Sequence, residues 1–467
     1  MTGRASLIVI LGFSLIIGTA TRYWTYASGK AVQNAVNYYG SSRSHNDAVI
    51  AANLACDSIF QNNADTATIS GLKGTFSDGS HYAINAVMQQ GYGKFRNCFI
   101  TATGTDTDIY HNVYDDTVQV LLSPYSFSRF AWFTSSENGV DWVTGDTLTG
   151  PLQTDGKLYI NGDPVVNGPV SIGQTLVKTH TTDSLICNSF RSGVTDSLPN
   201  TFDTTYTIGD TTKVFSNPKH TGSNYAYDVY LTFDTLGANG TGRVIETDTT
   251  RYWNGSNWID SGHTAPQTIK LDSIVNPKTG ENLILVKDGD AHVSGIVHGD
   301  VTVVANQPAS NYRKSSSTQK VQNGDTQYFN SSYDGNILIT GSLLYRSNPN
   351  NGGNDVLGLV ATNSIGLATQ KYTSPGNSSV TIDAALFALK GSFTYMDYDG
   401  KTNSNDYMGY IYLNGSMTQS SRGAVGQVNN FAGPGYLKNY RYDTRYRYLA
   451  PPGFPLSHHY VVLSWRE

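Results

Sequence analysis

A pair of adjacent histidines, His458-His459, and an oxygen-rich run from Asp397 to Asp406 (DYDGKTNSND) are the residues best suited to bind an ion. A surface or packed pair is the simpler reading of the histidines, with a metal pair as the alternative. The run carries carboxylates on a turn, and Asp397 and Asp399 are the positions that would hold calcium. The EF-hand order requires an oxygen ligand at its fifth place, where Lys401 stands, so a solvated turn is the default. The loop Asn348–Asp355 (NPNNGGND) has the same turn-rich character. Asp115-Asp116 supplies the residue type for glycoside hydrolysis, but adjacent residues on a strand point to opposite faces. No Gly-x-Ser-x-Gly, His-Glu-x-x-His or Walker phosphate loop is present. The chain offers no catalytic set, and no enzyme activity is expected. Cys56, Cys98 and Cys187 are too few for a disulfide scaffold and lack zinc spacing. One bridge, Cys56 with Cys98, is the first choice because both fall in the N-terminal module. Three buried thiols are the alternative.

The elements that would position these residues follow from composition. The chain has 467 residues, enough for two or three domains. Asp, Glu, Lys and Arg make up only 14%, against roughly 25% in ordinary soluble domains. Thr, Gly and 31 Tyr fill the difference, which favours short strands joined by tight turns over amphipathic helices. A net charge of -5 argues against nucleic acid as a partner, and the one basic cluster is Lys438, Arg441, Arg445 and Arg447.

The N-terminus is different. Ala5–Ala20 (ASLIVILGFSLIIGTA) has no charge and is bracketed by Arg4 and Arg22. As a helix it rises about 24 Å, and with the aromatics Tyr23, Trp24 and Tyr26 it is long enough to cross a bilayer. A cleaved signal peptide, read at Thr19-Ala20, is the alternative. Helical spacing continues, however, through Ala31, Val32, Ala35 and Val36, then Ala48, Val49, Ala52, Ala55, Cys56 and Ile59. Gly29 and Gly40 are expected to bend or partly melt this helix.

Gly3 before a short charged start, the run ASLIVILGFSLIIG, and a long helix leading into a β-domain resemble type IV pilins and minor pilin-like proteins. That resemblance implies prepilin-peptidase cleavage between Gly3 and Arg4, a retained helix, and assembly with pilin-like subunits or with itself. Ile8 stands where family members usually carry a glutamate that pairs with a neighbour's N-terminal amine, as in some minor members that also lack it. Gly145–Ile160, continuing to Val165, resembles uncharacterised bacterial proteins that join a pilin-like start to a polymer-forming-protein-like β body.

Strands are expected at 67–70, 83–87, 98–103 and 118–122, separated by turns such as Ser77-Asp-Gly79. Beyond Pro124, short apolar triplets recur between Gly, Asn and Asp, as in NGDPVVNGPV and SGIVHGDVTV. They suggest a repeat of roughly six or seven residues and strands that must stack. The expected organisation is mainly β with a long N-terminal helix. It comprises a membrane or assembly helix (1–28), a pilin-like α+β head (29–123), and a β-solenoid-like body beginning at 124–182. An inserted β-subdomain or long loops (183–265) and the rest of the body with the C-terminal tail (266–467) complete it. A β-sandwich is the alternative for the body. The function expected is a structural or adhesive component of the bacterial envelope or a surface filament, with the membrane, pilin-like subunits and surface glycans as partners. The rival is a membrane-anchored β-solenoid that binds or cleaves polysaccharide.

Overall fold

The computed structural model describes residues 2–62, 71–89, 97–196, 198, 213–216, 225–235, 242–254, 258–274, 282–306, 335–368, 378–396, 407–427, 433–447 and 449–467. Its chain forms one long helix and is otherwise mainly β. Two units divide it: Met1–Pro124 with His458–Glu467, and Tyr125–Ser457.

In the first unit the helix runs unbroken from Thr2 to Asn62. Gly29 and Gly40 do not interrupt it, because the flanking turns supply enough good helix formers and no proline. Gly40 instead makes room: a Cβ there would lie 2.4 Å from the Tyr114 ring. The inner half buries Ala48, Ala51, Ala52, Ala55, Cys56 and Ile59, a stripe at the i, i+3, i+4 spacing of one helix face. That stripe covers an antiparallel sheet built from β1 (Leu72–Thr75), β2 (His81–Gln89), β3 (Asn97–Thr107) and β4 (Val113–Ser126). β3 alternates buried and half-buried residues along its length, and Cys98, Ile100 and Ala102 meet the helix. Gly104 lets strand and helix approach, since a Cβ there would lie 2.2 Å from the Ser44 carbonyl oxygen. The strand expected at 67–70 lies outside the described residues.

The last strand, Leu456–Arg466, adds to the far edge of this sheet beside β4. The end of the 266–467 segment therefore belongs to the first unit. Nothing local in LSHHYVVLSWR distinguishes it from a strand of the body.

The second unit is dominated by one parallel ladder. Its members run in the spatial order Ile186–Ser192, Val165–Ile172, Leu152–Thr154, Trp132–Ser136, Tyr407–Ser421, Val380–Ala388, Val356–Ala361, Asp300–Asn306, Leu283–Lys287 and Lys213–Ser216. A second parallel series joins Tyr225–Thr235, Asp290–Val297, Ile337–Tyr345, Ile365–Leu367 and Phe393–Tyr395. The sheet closes on itself around a continuous apolar core. This closed, parallel pairing is not that of a sandwich of two facing sheets. Within 183–265, Ile186–Ser192 continues the ladder, while Tyr225–Thr235, Gly242–Trp253 and Trp258–His263 pair antiparallel.

The ladder order departs from chain order at one place. Trp132–Ser136, the first strand after residue 130, pairs with Tyr407–Ser421, one of the last. Beside it, Thr147–Thr149 pairs with Gly435–Tyr442. The early and late segments of the body thus join by parallel pairing in the middle of the stack.

Candidate functional site

The feature that the rest of the fold leaves unexplained is the outer half of the helix. Leu7, Ile8, Val9, Ile10, Leu11, Phe13, Leu15, Ile16 and Ile17 are all more than half exposed. Removing each from water is worth roughly 1.5–3 kcal/mol, so the nine together represent on the order of 10–25 kcal/mol that the isolated chain does not recover. The stretch is long and apolar enough to cross a bilayer. Three of its hydroxyls are satisfied internally: those of Thr19, Thr21 and Thr25 donate to the carbonyls of Ile16, Ile17 and Thr21 at 2.8–2.9 Å. A hydroxyl bonded back to its own helix needs no water, which lets the segment lie in an apolar medium. Tyr23, Trp24 and Tyr26 follow, exposed by 73%, 76% and 66%. Gly3 and Arg4 occupy the first turn of the same helix.

Where the helix reaches the sheet, its polar groups are locked. Arg43 bonds Asp78 at 2.8 Å. His45 Nδ1 lies 2.8 Å from Asp116, while Asp115 accepts from the Thr105 hydroxyl at 2.7 Å. The two neighbouring carboxylates thus take different partners. Cys56 and Cys98 are free thiols buried in one cluster. Burial pushes Cys56 up to about 11 and, with the neighbouring Cys56 adding to the effect, Cys98 up to about 12. Cys187 belongs to the second unit and is half-buried there.

Among the described residues of the body, the carboxylates at three places are engaged by fixed protein donors. At the junction of early and late strands, Arg422 meets Glu137 at 2.6 Å with both side chains fully buried. Arg422 also donates to the Val140 and Asp141 carbonyls and lies over the Trp142 ring. Trp132 donates its indole N–H to Glu137 at 3.0 Å, and Lys438 bonds Asp146 at 2.5 Å. Burial lowers Lys438 below its ordinary value, and Asp146 opposes that shift. Elsewhere Asp228 holds Arg251 and, at 3.1 Å, His292. In the third cluster Asp355 accepts from His298, from the Gly299 and Ser347 amides and from the Ser347 hydroxyl. Nearby, Asp383 accepts from the Tyr345 amide and Asn414, and Asp443 pairs with Arg445 at 2.6 Å. A carboxylate whose lone pairs are filled by fixed donors is poorly placed to attack substrate or shuttle protons.

The same pairs take two members out of the basic cluster read from the sequence, since Lys438 is buried and Arg445 is neutralised by Asp443, while Arg441 and Arg447 are exposed. Sequence reading found neither partner, because Glu137 and Arg422 are 285 positions apart and Lys438 and Asp146 are 292 apart. Among the described residues no group of three or more His, Cys, Asp or Glu side chains is arranged to hold a metal. Asp397 and Asp399 lie outside those residues. His458 and His459 sit in the C-terminal strand.

Comparison with known proteins adds little. No family model matches the chain, and no curated protein matches it. One similar solved structure is the competence-associated pilin ComZ from Thermus thermophilus, at 12% identity, covering 85% of this chain and 86% of that one with a TM-score of 0.36.

Proposed function

We propose that this protein is a non-catalytic, pilin-like structural component of the bacterial cell envelope, either anchored in the inner membrane or built into a surface filament. The observation that carries this reading is the single helix with two environments. Its outer half exposes nine large apolar side chains, and its inner half is seated by an alanine stripe on an antiparallel sheet. Such a helix is buried either in lipid or among like helices, and its attached unit lies outside the cytoplasm. Cleavage between Gly3 and Arg4 would leave the apolar segment intact. With Ile8 in place of a glutamate, helix association rests on packing, and Gly12 and Gly18, each with nothing within 4 Å of a would-be Cβ, are the positions that let neighbours approach.

The body is read as a β-solenoid that displays an adhesive or scaffolding surface. Support comes from residues 142–178, where the registers step by 18 residues: Trp142 pairs with Ile160, Thr147 with Val165, Leu152 with Val170 and Leu158 with Leu176. Eighteen residues hold three of the six-residue units suggested by the sequence. The rival, a polysaccharide-cleaving solenoid, needs two carboxylates facing an open cleft, whereas Glu137, Asp146, Asp228, Asp355, Asp383 and Asp443 are tied to protein donors.

Deleting residues 1–28 tests the assignment. The truncated chain is expected to be soluble, folded and monomeric by size-exclusion chromatography and circular dichroism, while the intact chain self-associates or stays in membranes. Large oligomers of the truncated chain would move assembly to β–β contacts and overturn the role given to the helix. N-terminal sequencing of protein from its native envelope is expected to begin at Arg4; a start near Thr21 would identify a discarded leader.

A further inference from the structure

We infer that the hairpin tip between β3 and β4, carrying Ile109 and Tyr110, is a second membrane contact that rests at the lipid headgroup level beside the helix. The inference builds on the reading of the helix as a membrane anchor, and four observations point to it. First, Ile109 is 85% exposed and Tyr110 60%, an apolar and an amphipathic side chain at a turn where polar residues are the rule. Second, the tip is held rigid. Asp108 accepts from the Tyr110 and Asn112 amides at 2.8 and 2.9 Å and from the Asn112 side chain at 2.8 Å. His111 closes the turn with a φ of 64°. A loop ordered in this way presents its two outward side chains with little further loss of backbone entropy.

Third, the hairpin is fastened to the helix in a definite direction. The Tyr114 hydroxyl donates within 3.0 Å of Asn37 and Asp108, and its ring fills the notch at Gly40. Tyr110, four residues nearer the tip, lines a groove of about 670 Å³ with Trp24, Thr25, Ser28, Gly29, Val32 and their neighbours on the helix. The tip therefore points back along the helix toward its apolar end. Fourth, the groove that Tyr110 lines reaches the aromatics at the end of the apolar segment. At 1.5 Å per residue the hydrocarbon core takes up Arg4 to about Arg22, and the headgroup layer adds a further ~5–8 Å. That layer holds Tyr23, Trp24 and Tyr26, the aromatics that favour the interface, and Trp24 forms the near wall of the Tyr110 groove. The occupant assigned to this surface is lipid: interfacial aromatics on the helix and an apolar side chain on the tip face the same layer, and Thr25 and Ser28 supply small polar groups for headgroups.

The test places an environment-sensitive fluorophore on Ile109→Cys, in a Cys187→Ser background, with the full chain in nanodiscs of phosphatidylethanolamine and phosphatidylglycerol that hold one copy each. A second label at Ile16→Cys reports on the helix. The expected result is a several-fold rise in emission at position 109 over the lipid-free, detergent-solubilised chain. It should be quenched most by spin labels on the headgroup, with position 16 quenched most by labels deep in the acyl chains. Emission at 109 that stays fully aqueous while 16 is deep in the bilayer overturns the tip contact and leaves the anchor standing. Emission at 109 that rises only when discs hold two or more copies overturns it in favour of a neighbouring subunit. A label at 16 that is not quenched by deep probes removes the anchor and this inference together.

Discussion

The two units stabilise themselves in opposite ways. In the first, an alanine stripe and Gly104 bring helix and sheet into close contact around an apolar cluster from Ala48 to Leu122, with Asp47 and Asp106 its buried carboxylates. In the second, an apolar core of branched and aromatic side chains also encloses Glu137, Asp146, Asp228, Arg251, Arg422 and Lys438. In the first unit β1 to β4 are neighbours in sequence, so turns and apolar alternation go far to specify their register, and the C-terminal strand is the one that arrives from a distant part of the chain. The body must join segments almost 300 residues apart, and stacked parallel strands of similar composition offer many equivalent registers. Buried ion pairs at the junction of early and late strands discriminate among them, because a slipped register strands a charge in the core.

Breaking one of those pairs has the largest expected effect. Glu137→Ala leaves Arg422 buried opposite no carboxylate and should cost about 3–5 kcal/mol. Urea denaturation is expected to show loss of the body transition, with Cys98 in the other unit still protected from thiol reagents. The double variant Glu137→Gln, Arg422→Met removes both charges and should recover much of the loss. If Glu137→Ala leaves the midpoint unchanged, the pair does not guide the junction.

The first unit has a covalent counterpart. Cys56 and Cys98 share one cluster, and in an oxidising compartment a bridge between them closes a loop of about 40 residues, worth ~4 kcal/mol. Thiol labelling of denatured, unreduced protein from its native envelope is expected to find Cys187 alone. Three reactive thiols would leave this unit dependent on packing. In reduced protein both buried thiols, with affinities for the proton raised to about 11 and 12, should react slowly at pH 8 until the unit opens.

The contrast also explains what was legible in the sequence. The long N-terminal helix was visible because sixteen uncharged residues and a following 3.6-residue period are local signals. β2, β3 and β4 were visible because strand alternation and turn residues are local too. The triplets of the body announced stacked strands but not their order, since parallel pairing of Trp132–Ser136 with Tyr407–Ser421 leaves no mark near either segment. The ion pairs were invisible for the same reason. Arg445 and Lys438 look like a basic patch until Asp443 and Asp146 are seen beside them. Ile109-Tyr110 reads simply as part of a turn, and its meaning comes only from the exposure of those side chains and from the helix beside them.

Not every buried charge in the body has an opposite partner at hand. Glu246 is 1% exposed, and burial, with Asp248 adding to it and Lys213 opposing, pushes its carboxyl from 4.5 up to about 7. A carboxyl whose affinity for the proton rises on folding stabilises the fold below its unfolded value and loses that contribution as pH climbs through the folded one. The body should therefore lose stability between about pH 4.5 and pH 7 on this account. Glu246→Gln keeps the shape without the charge and is expected to gain about 2–3 kcal/mol at pH 8 and almost nothing at pH 4. Thermal unfolding of both forms across that range measures it; a pH-independent difference would assign the effect to packing.

The smallest effects test how tightly the first unit is fitted, and they separate two glycines that look alike in sequence. At Gly104 the atoms met by a new Cβ are the Ser44 carbonyl oxygen at 2.2 Å and the Ala48 amide at 2.5 Å, both helix backbone. Backbone cannot step aside without moving the helix, so Gly104→Ala should cost about 1–3 kcal/mol, the usual range for overpacking. At Gly40 the atoms met belong to the Tyr114 ring, which can rotate away, and alanine gains up to about 1 kcal/mol of helix propensity. Gly40→Ala is thus expected to change stability by less than about 1 kcal/mol. Its cost falls elsewhere: turning Tyr114 breaks the hydroxyl bonds to Asn37 and Asp108 that fasten the β3–β4 hairpin to the helix. Chemical denaturation should show Gly104→Ala shifted and Gly40→Ala nearly unmoved, while hydrogen exchange at Tyr110 and Asn112 rises only in Gly40→Ala. Equal shifts in both variants would mean that the helix yields as easily as a ring, and that the close fit of helix on sheet does not hold this unit together.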